Sequence, residues 1–156
     1  MKTGAVFDPT GTYRYTLWRK WDETQPSVGF IMLNPSRADA ELDDPTIRRC
    51  VSLAKQWGYG AIAVGNLFAY CTAFPQELKK AKKPIGKEND RYLVELCQQV
   101  NTLILAWGNA GSLMARDRAV LKIVQPYTTA FCLGKTKVGH PRHPLYLPKT
   151  TCPTQF

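Results

Sequence analysis

The stretch SVGFIMLNPS, residues 27–36, decides the fold, because an almost entirely apolar strand runs straight into a polar turn. A strand with one solvent face alternates apolar and polar residues, whereas SVGFIML does not. Continuously apolar strands are typical of parallel sheets covered on both faces. Three similar stretches follow along the chain: AIAVGNL at 61–67, TLILAW at 102–107 and TTAFCL at 128–133. The sequence therefore predicts an α/β fold.

Amphipathic helices are predicted between these strands. Asp44 and Pro45 open the first helix, because Asp is a good N-cap and Pro suits the first helical position. Gly58 is expected to end that helix. Further helices are predicted from Pro75, over 87–98 and from about 111 to 124. Alternation of strands and helices favours a sheet with helices on both faces.

An aromatic strand is expected before the first parallel one. The stretch YRYTLWRKW, residues 13–21, alternates, and the DETQP segment after it favours antiparallel pairing with 27–33 at the sheet edge. The overall prediction is a single domain over 1–156. It is a three-layer α/β/α sandwich whose central sheet is mainly parallel, with about four strands and an N-terminal antiparallel strand. The tail from about residue 149 is expected to be irregular.

Composition excludes several classes of protein. With 156 residues, 44% of them hydrophobic, the chain is neither disordered, collagen-like nor a coiled coil. Its five cysteines form no CxxC pair, which argues against a disulfide framework and an iron–sulfur cluster. We expect no cofactor and no metal. No apolar run approaches the roughly 18 residues of a membrane helix, and MKTGAVFDPT lacks a signal-peptide core. A cytoplasmic, soluble protein with no membrane partner is predicted.

The chain is a basic protein, with a formal net charge of +9. This charge is compatible with a nucleic acid or nucleotide partner, because cationic side chains neutralise phosphates. One basic cluster comprises Lys79, Lys80, Lys82, Lys83 and Lys87. A second consists of Lys135, Lys137, His140, Arg142 and His143. For the first cluster, a solvated lysine face that aids solubility is the alternative to anion binding.

Polar residues follow the predicted parallel strands, where ligands bind in α/β sheets. In chain order they are Asn34 and Ser36, then Asn66, then Asn109, then His140, Arg142 and His143. Phe68 and Tyr70 lie past the second of these strands and are expected to be exposed stacking platforms. Asn34 either projects from an extended Asn-Pro turn or simply caps it. Asn66 is either a satisfied structural amide or a reader of a nucleobase edge.

The segment GHPRHPLYLP, residues 139–148, holds both histidines of the chain. Each histidine precedes a proline, so the backbone is restricted and cannot form a helix. A metal pair would need further ligands, and the dispersed cysteines offer no obvious source. A rigid structural loop and a catalytic or anion-binding loop therefore stand as the two alternatives.

The motifs LNPS, DDPTIRRC, WGYG, NLFAY, AWGNAG and GHPRHPLYLP together resemble domain-of-unknown-function family 1643, an uncharacterised bacterial and phage family. The likeness extends from about Tyr13 to Pro148. That family carries no established activity. The sequence therefore implies membership without implying a reaction.

The order of the motifs also resembles the uracil-DNA glycosylase superfamily. LNPS is similar to its first motif, where an Asp or Asn before Pro positions the attacking water, which implies that role for Asn34. Asn66 falls where the superfamily's base-reading Asn ends a strand. HPRHPL resembles its HPSPL loop but is one residue longer, so either His140 or His143 is the counterpart. Arg142 stands in place of the Ser that helps to grip the DNA backbone.

Three functions are considered, and the third is an unrelated hydrolase or transferase that uses the histidine-rich loop and Asn34. The first is a nucleobase-processing hydrolase that cleaves an N-glycosidic bond, with Asn34 and one histidine as the catalytic groups. Asn66, Phe68, Tyr70, Ser36, Asn109 and Arg142 would then bind the substrate. The second is a non-catalytic nucleic-acid or nucleotide binding protein that keeps the pocket without turnover.

Overall fold

Seven strands form one mixed sheet in the computed structural model, which describes residues 1–156. The strands are β1 (Lys2–Phe7), β2 (Arg14–Lys20), β3 (Ser27–Met32), β4 (Ala61–Asn66), β5 (Thr102–Leu105), β6 (Ala130–Cys132) and β7 (Thr154–Gln155). The helices are α1 (Pro45–Gln56), α2 (Asn89–Gln99) and α3 (Arg116–Val124), with 3-10 helices at Pro75–Lys79 and Asn109–Ala115. The strand order is β1-β2-β4-β3-β5-β6-β7.

The sheet is not mainly parallel, and that prediction is wrong. The central strands β4, β3, β5 and β6 are parallel, but β1 and β2 at one edge and β7 at the other pair antiparallel. The expected pairing of β2 with β3 is also wrong. Both edges of β3 are taken by β4 and β5, so β2 adds to the free edge of β4 instead.

Two apolar clusters lie on the two sides of the sheet, because successive side chains of a strand point to opposite faces. Phe30 of β3 belongs to the cluster that includes Ile47 and Leu53 of α1. Its neighbour Ile31 belongs to the cluster that includes side chains of α2 and α3. This double burial is why β3 lacks alternation. No α-helix of the structure combines the length and apolar composition needed to cross a bilayer.

The start of α1 is confirmed as predicted. The Oδ1 of Asp44 accepts a hydrogen bond from the backbone N–H of Ile47 at 2.9 Å, and Pro45 is the first helical residue. The loop before α1 is tied to β2 by the buried Arg19, whose guanidinium donates to Asp43 Oδ1 at 2.8 Å and to the carbonyl of Asp39 at 2.7 Å. These contacts fix α1 relative to the edge of the sheet.

The predicted helix over about 111–124 is broken. A 3-10 helix over Asn109–Ala115 precedes α3, and Met114 and Ala115 adopt left-handed backbone angles with φ of 56° and 53°. The β-carbon of an alanine at Gly111 would lie 2.2 Å from a ring atom of Trp107, so this segment packs directly on the indole. The tail predicted to be irregular ends in β7, a short strand that pairs with β6.

A candidate ligand cavity at the strand ends

A cavity of about 450 Å³ opens where the parallel strands β3 and β4 end. Met32 and Asn66 are register partners at that edge, and both line the cavity. Its volume falls within the roughly 300–1,000 Å³ usual for small-molecule sites. Of the residues predicted to form a site, it brings together Asn34, Ser36, Asn66 and His143.

The side chain of Asn34 is oriented by backbone carbonyls. Its Nδ2 donates to the carbonyls of Pro35 and Thr72, each at 2.9 Å, and more weakly to that of Tyr70 at 3.5 Å. Since a carbonyl can only accept, these contacts settle which end of the amide carries nitrogen. The Oδ1 of Asn34 is therefore the end available to accept a hydrogen bond from a water or ligand.

Asn66, the last residue of β4, is only 2% exposed, and its Oδ1 has no hydrogen-bond partner. The backbone around it, in contrast, is fully engaged. Asn89 of α2 donates to the carbonyls of Asn66 and Leu67 at 2.9 and 3.1 Å, and Arg116 of α3 donates to that of Leu67 at 2.8 Å. Leaving a buried amide oxygen unpaired costs about 1–3 kcal/mol of folding stability. A side chain that stays unpaired on a fixed backbone is typical of a residue that binds a ligand.

His143 is held as a neutral imidazole with a defined tautomer. Its Nδ1 accepts a hydrogen bond from the backbone N–H of Leu145 at 3.1 Å. In the neutral ring the proton then resides on Nε2, which makes that atom a donor. Burial lowers the pKa of His143 below its ordinary value, and the nearby carboxylate of Asp44 opposes the shift in part. A neutral donor is therefore present at neutral pH.

Two further donors of the cavity wall also lack partners. Arg14 and Trp107 are 3% and 2% exposed, and neither Arg14 Nε nor Trp107 Nε1 makes a hydrogen bond. Burial lowers the pKa of Arg14 to about 10, partly offset by Cys71 and Asp44, so its guanidinium stays charged at neutral pH. The residues that line the cavity thus carry unpaired buried donors and an unpaired buried acceptor, a pattern that fits a planar polar ligand bearing both kinds of group.

His140 lies outside this cavity. It lines a separate cavity of about 490 Å³, where its Nδ1 is 3.9 Å from Asp117 Oδ2. Trp107 lines both cavities and stands between them. The two histidines that the sequence left as alternatives are thus separated, and His143 is the one beside Asn34 and Asn66.

Four other predicted residues are not brought to the cavity. Phe68 is fully buried, so its prediction as an exposed stacking platform is wrong. The residues that follow β4 remain hydrogen-bonded to the backbone at the end of β3, and this pairing keeps the Phe68 ring in the core. Tyr70 is half-buried, with its ring edge-on to Tyr13 at 6.1 Å. Asn109 accepts a hydrogen bond from Thr136 at 2.6 Å, and the exposed Arg142 donates to the carbonyl of Lys135 at 3.2 Å.

The cavity also contains residues that sequence reasoning did not assign to a site: Arg14, Asp44, Trp107 and Tyr146. Arg14 gave no signal, since a charged residue is ordinary on the solvent face of an alternating strand. Tyr146 is 89% exposed and has a φ of 73°, rare for a bulky side chain. It follows His143 by three residues and so belongs to the same loop, but the sequence pattern does not indicate that its side chain is exposed.

Residues 14–145 match the family model described as "Protein of unknown function (DUF1643)". The chain belongs to that family. The part matched to DUF1643 runs from Arg14 to Leu145 and so includes Asn34, Asn66 and His143. No curated protein and no solved structure matches the chain.

Proposed function

We propose that the cavity binds a nucleobase and that hydrolysis of an N-glycosidic bond is the reaction it supports best. One observation carries the proposal: the unpaired amide oxygen of Asn66 shares a cavity with the neutral imidazole of His143. Nucleobase edges present donors and acceptors side by side, which an Asn amide can match with two hydrogen bonds. The neutral Nε2–H of His143 adds a donor suited to a base carbonyl.

The proposed roles follow from which atoms are free. Asn34 presents Oδ1 and orients a water molecule, Asn66 holds the base, and His143 donates to a base oxygen. The water oxygen bonds to the anomeric carbon while the carbon–nitrogen bond breaks, and the base leaves with the bonding electrons. The water loses one proton to solvent, and the base anion is stabilised by His143 and then protonated. One such donor is worth about 3–4 kcal/mol. No cofactor enters this sequence.

Three supporting arguments are weaker. Helix α1 packs on one face of the sheet and α2 and α3 on the other, which is compatible with a three-layer sandwich like that of the uracil-DNA glycosylases. Tyr146 stands exposed at the cavity rim, where it replaces Phe68 as the aromatic surface for stacking. The net charge of +9 favours a substrate that carries phosphate.

A second candidate function is nucleic-acid or nucleotide binding without turnover. Asn34 favours it, because an amide can orient a water molecule but cannot take its proton. In that case the cavity recognises a base that it does not release. The two functions differ in one observable, the appearance of free base.

The decisive experiment incubates the protein with oligonucleotides and nucleotides that contain uracil, hypoxanthine, xanthine or hydroxymethyluracil, and measures free base by chromatography. The two histidines provide matched variants. We expect His143→Ala to lower the release rate by about two to three orders of magnitude, the scale of one lost transition-state donor. His140→Ala removes the same side chain from the neighbouring cavity and should leave the rate within about twofold. Equal losses in both variants would contradict the role of His143.

The binding arm of the experiment separates the two candidate functions. We expect Asn66→Ala to weaken nucleobase or nucleotide binding by about 1–3 kcal/mol, measured by calorimetry. Asn109→Ala is the control, since that exposed amide lies outside the cavity. Binding without release would leave the second function. Neither binding nor release with any of the four bases would exclude both.

A further inference from the structure

A cavity of about 910 Å³ lies apart from the proposed nucleobase site. It is bounded by the loop between β1 and β2, the segment from Lys82 to Glu88, and Tyr92 of α2. The segment from Asn66 to Thr72 links the two cavities. Asn66 and Thr72 line the nucleobase cavity, while Ala69 and Tyr70 are hydrogen-bonded to the wall of the large one.

Three tyrosine rings form a ladder along this large cavity. Tyr13 stacks on Tyr15 with ring centroids 6.4 Å apart, and Tyr15 stacks on Tyr92 at 5.1 Å, with interplanar angles of 8° in both pairs. The outer side of Tyr92 is covered by the guanidinium of Arg91, 4.5 Å from the ring centroid. Tyr13 is the other end of the ladder: its half-buried ring lines the cavity and lies edge-on to the ring of Tyr70, with centroids 6.1 Å apart.

The lysine segment beside the ladder is held in place. Tyr13 Oη donates to the carbonyl of Lys83 at 2.8 Å, and the backbone N–H groups of Ala69 and Tyr70 donate to the carbonyls of Ile85 and Pro84. Gly86 has a φ of 91°, and a β-carbon there would lie 3.1 Å from Tyr15 and 3.2 Å from Tyr13. The backbone between the lysines thus packs directly against the rings, unlike a freely solvated lysine face.

The lysine side chains that line this cavity form no ion pair with the acidic side chains around it. Lys82, Lys83 and Lys87 line it and take part in no ion pair. The two acidic side chains of the wall are already engaged: Glu88 pairs with Arg91 at 2.9 Å, and Asp8 accepts hydrogen bonds from Thr10 and from the backbone of Tyr13. The free charge of the cavity is therefore positive.

We propose that this cavity binds a segment of single-stranded nucleic acid, with an unpaired base stacked on Tyr13 and the backbone phosphates against Lys82, Lys83 and Lys87. An aromatic platform beside a row of cations is the combination by which proteins bind single strands without reading their sequence. The occupant is a single strand because stacking on Tyr13 requires a base that is not paired within a duplex. This inference goes beyond the proposed nucleobase site, since it needs neither turnover nor any residue of that site.

The test measures binding of a fluorescent single-stranded oligonucleotide of ordinary bases by anisotropy at several salt concentrations. We expect Tyr13→Ala to weaken binding roughly tenfold or more, whereas Tyr13→Phe, which keeps the ring, should restore most of the affinity. The triple variant Lys82→Ala/Lys83→Ala/Lys87→Ala should reduce the slope of log affinity against log salt by about 2, at roughly 0.7 per phosphate contact. The exposed Tyr127→Ala and Lys122→Ala provide controls outside this cavity.

The inference is overturned if the strand does not bind, if a duplex of the same sequence binds more tightly, or if the control variants weaken binding as much. It is also overturned if Tyr13→Phe is as weak as Tyr13→Ala while circular dichroism shows both to be folded. Asn109→Ala, at an exposed residue outside both cavities, should leave strand binding unchanged. The variants of His143 and Asn66 thus test the nucleobase proposal, whereas the variants of Tyr13 and the three lysines test this one.

Discussion

At the scale of single residues, His143 links stability to pH. Its folded-state pKa is lowered from 6.5 by burial, so below about pH 6.5 the unfolded state binds more protons than the folded state. The stabilisation is therefore present above that pH and is lost as the pH falls. We expect urea denaturation between about pH 5 and pH 8 to show the free energy of unfolding decreasing toward acid, and His143→Asn to flatten that dependence.

Asparagine is chosen because its Oδ1 can still accept the hydrogen bond that Leu145 donates to His143. Leu145→Ala serves as a control, since it perturbs the same loop and removes no titrating group. It should lower stability at every pH while preserving the pH dependence. An unchanged acid dependence in His143→Asn would show that other groups account for it.

Residue-level prediction located polar side chains that lie at the strand ends and failed where packing decides exposure. Asn34 and Asn66 were identified because each follows an apolar strand, and parallel strands bring their carboxyl ends to one edge. The choice between His140 and His143 required the path of the loop, which the five residues HPRHP, 140–144, do not reveal. Phe68 was misplaced because an aromatic residue past a strand end looks the same in sequence whether it is buried or exposed.

At the scale of elements, α2 and α3 together fix the end of β4. Arg116 of α3 donates to the carbonyl of Leu67 and forms an ion pair with Asp90 of α2. We expect Arg116→Met to lower the free energy of unfolding by about 1–3 kcal/mol, because it removes a charge-assisted hydrogen bond to a buried carbonyl. Arg118→Met, on the same helix but exposed, should change it by less than about 0.5 kcal/mol. Thermal denaturation of both variants measures these changes. If Arg116→Met lowers the free energy of unfolding as little as Arg118→Met does, then α3 does not stabilise the end of β4.

Among the elements, continuous burial was predictable and edge pairing was not. Strands β3, β4 and β5 were recognised because both of their faces are covered, which leaves an apolar run in the sequence. Strand β1 was missed, since KTGAVF is half-exposed and carries little pattern. Strand β2 was recognised but assigned the wrong neighbour. Its partner β4 follows it by 40 residues or more. Alternation within a strand does not indicate which free sheet edge that strand joins.

At the scale of the whole molecule, the charge of +9 acts on folding and on binding in opposite directions. Like charges repel in the folded state, and raising the salt from about 10 mM to about 150 mM shortens the screening length from about 30 Å to about 8 Å. Exposed pairs such as Lys2–Glu23 lose little by screening. We therefore expect the melting temperature to rise by about 2–4 °C, equivalent to about 1 kcal/mol.

The same addition of salt should weaken the binding of a single strand, because the counterions that the bound phosphates release gain less entropy in a more concentrated salt solution. The triple variant Lys82→Ala/Lys83→Ala/Lys87→Ala tests both effects at once, since it removes three exposed, unpaired charges. It should gain less stability from salt than the unmodified protein and lose less affinity. A melting temperature that falls with salt would mean that attraction between charges outweighs repulsion in this fold. The lysines would then stabilise the folded protein, and their positive charge would need no nucleic acid to explain it.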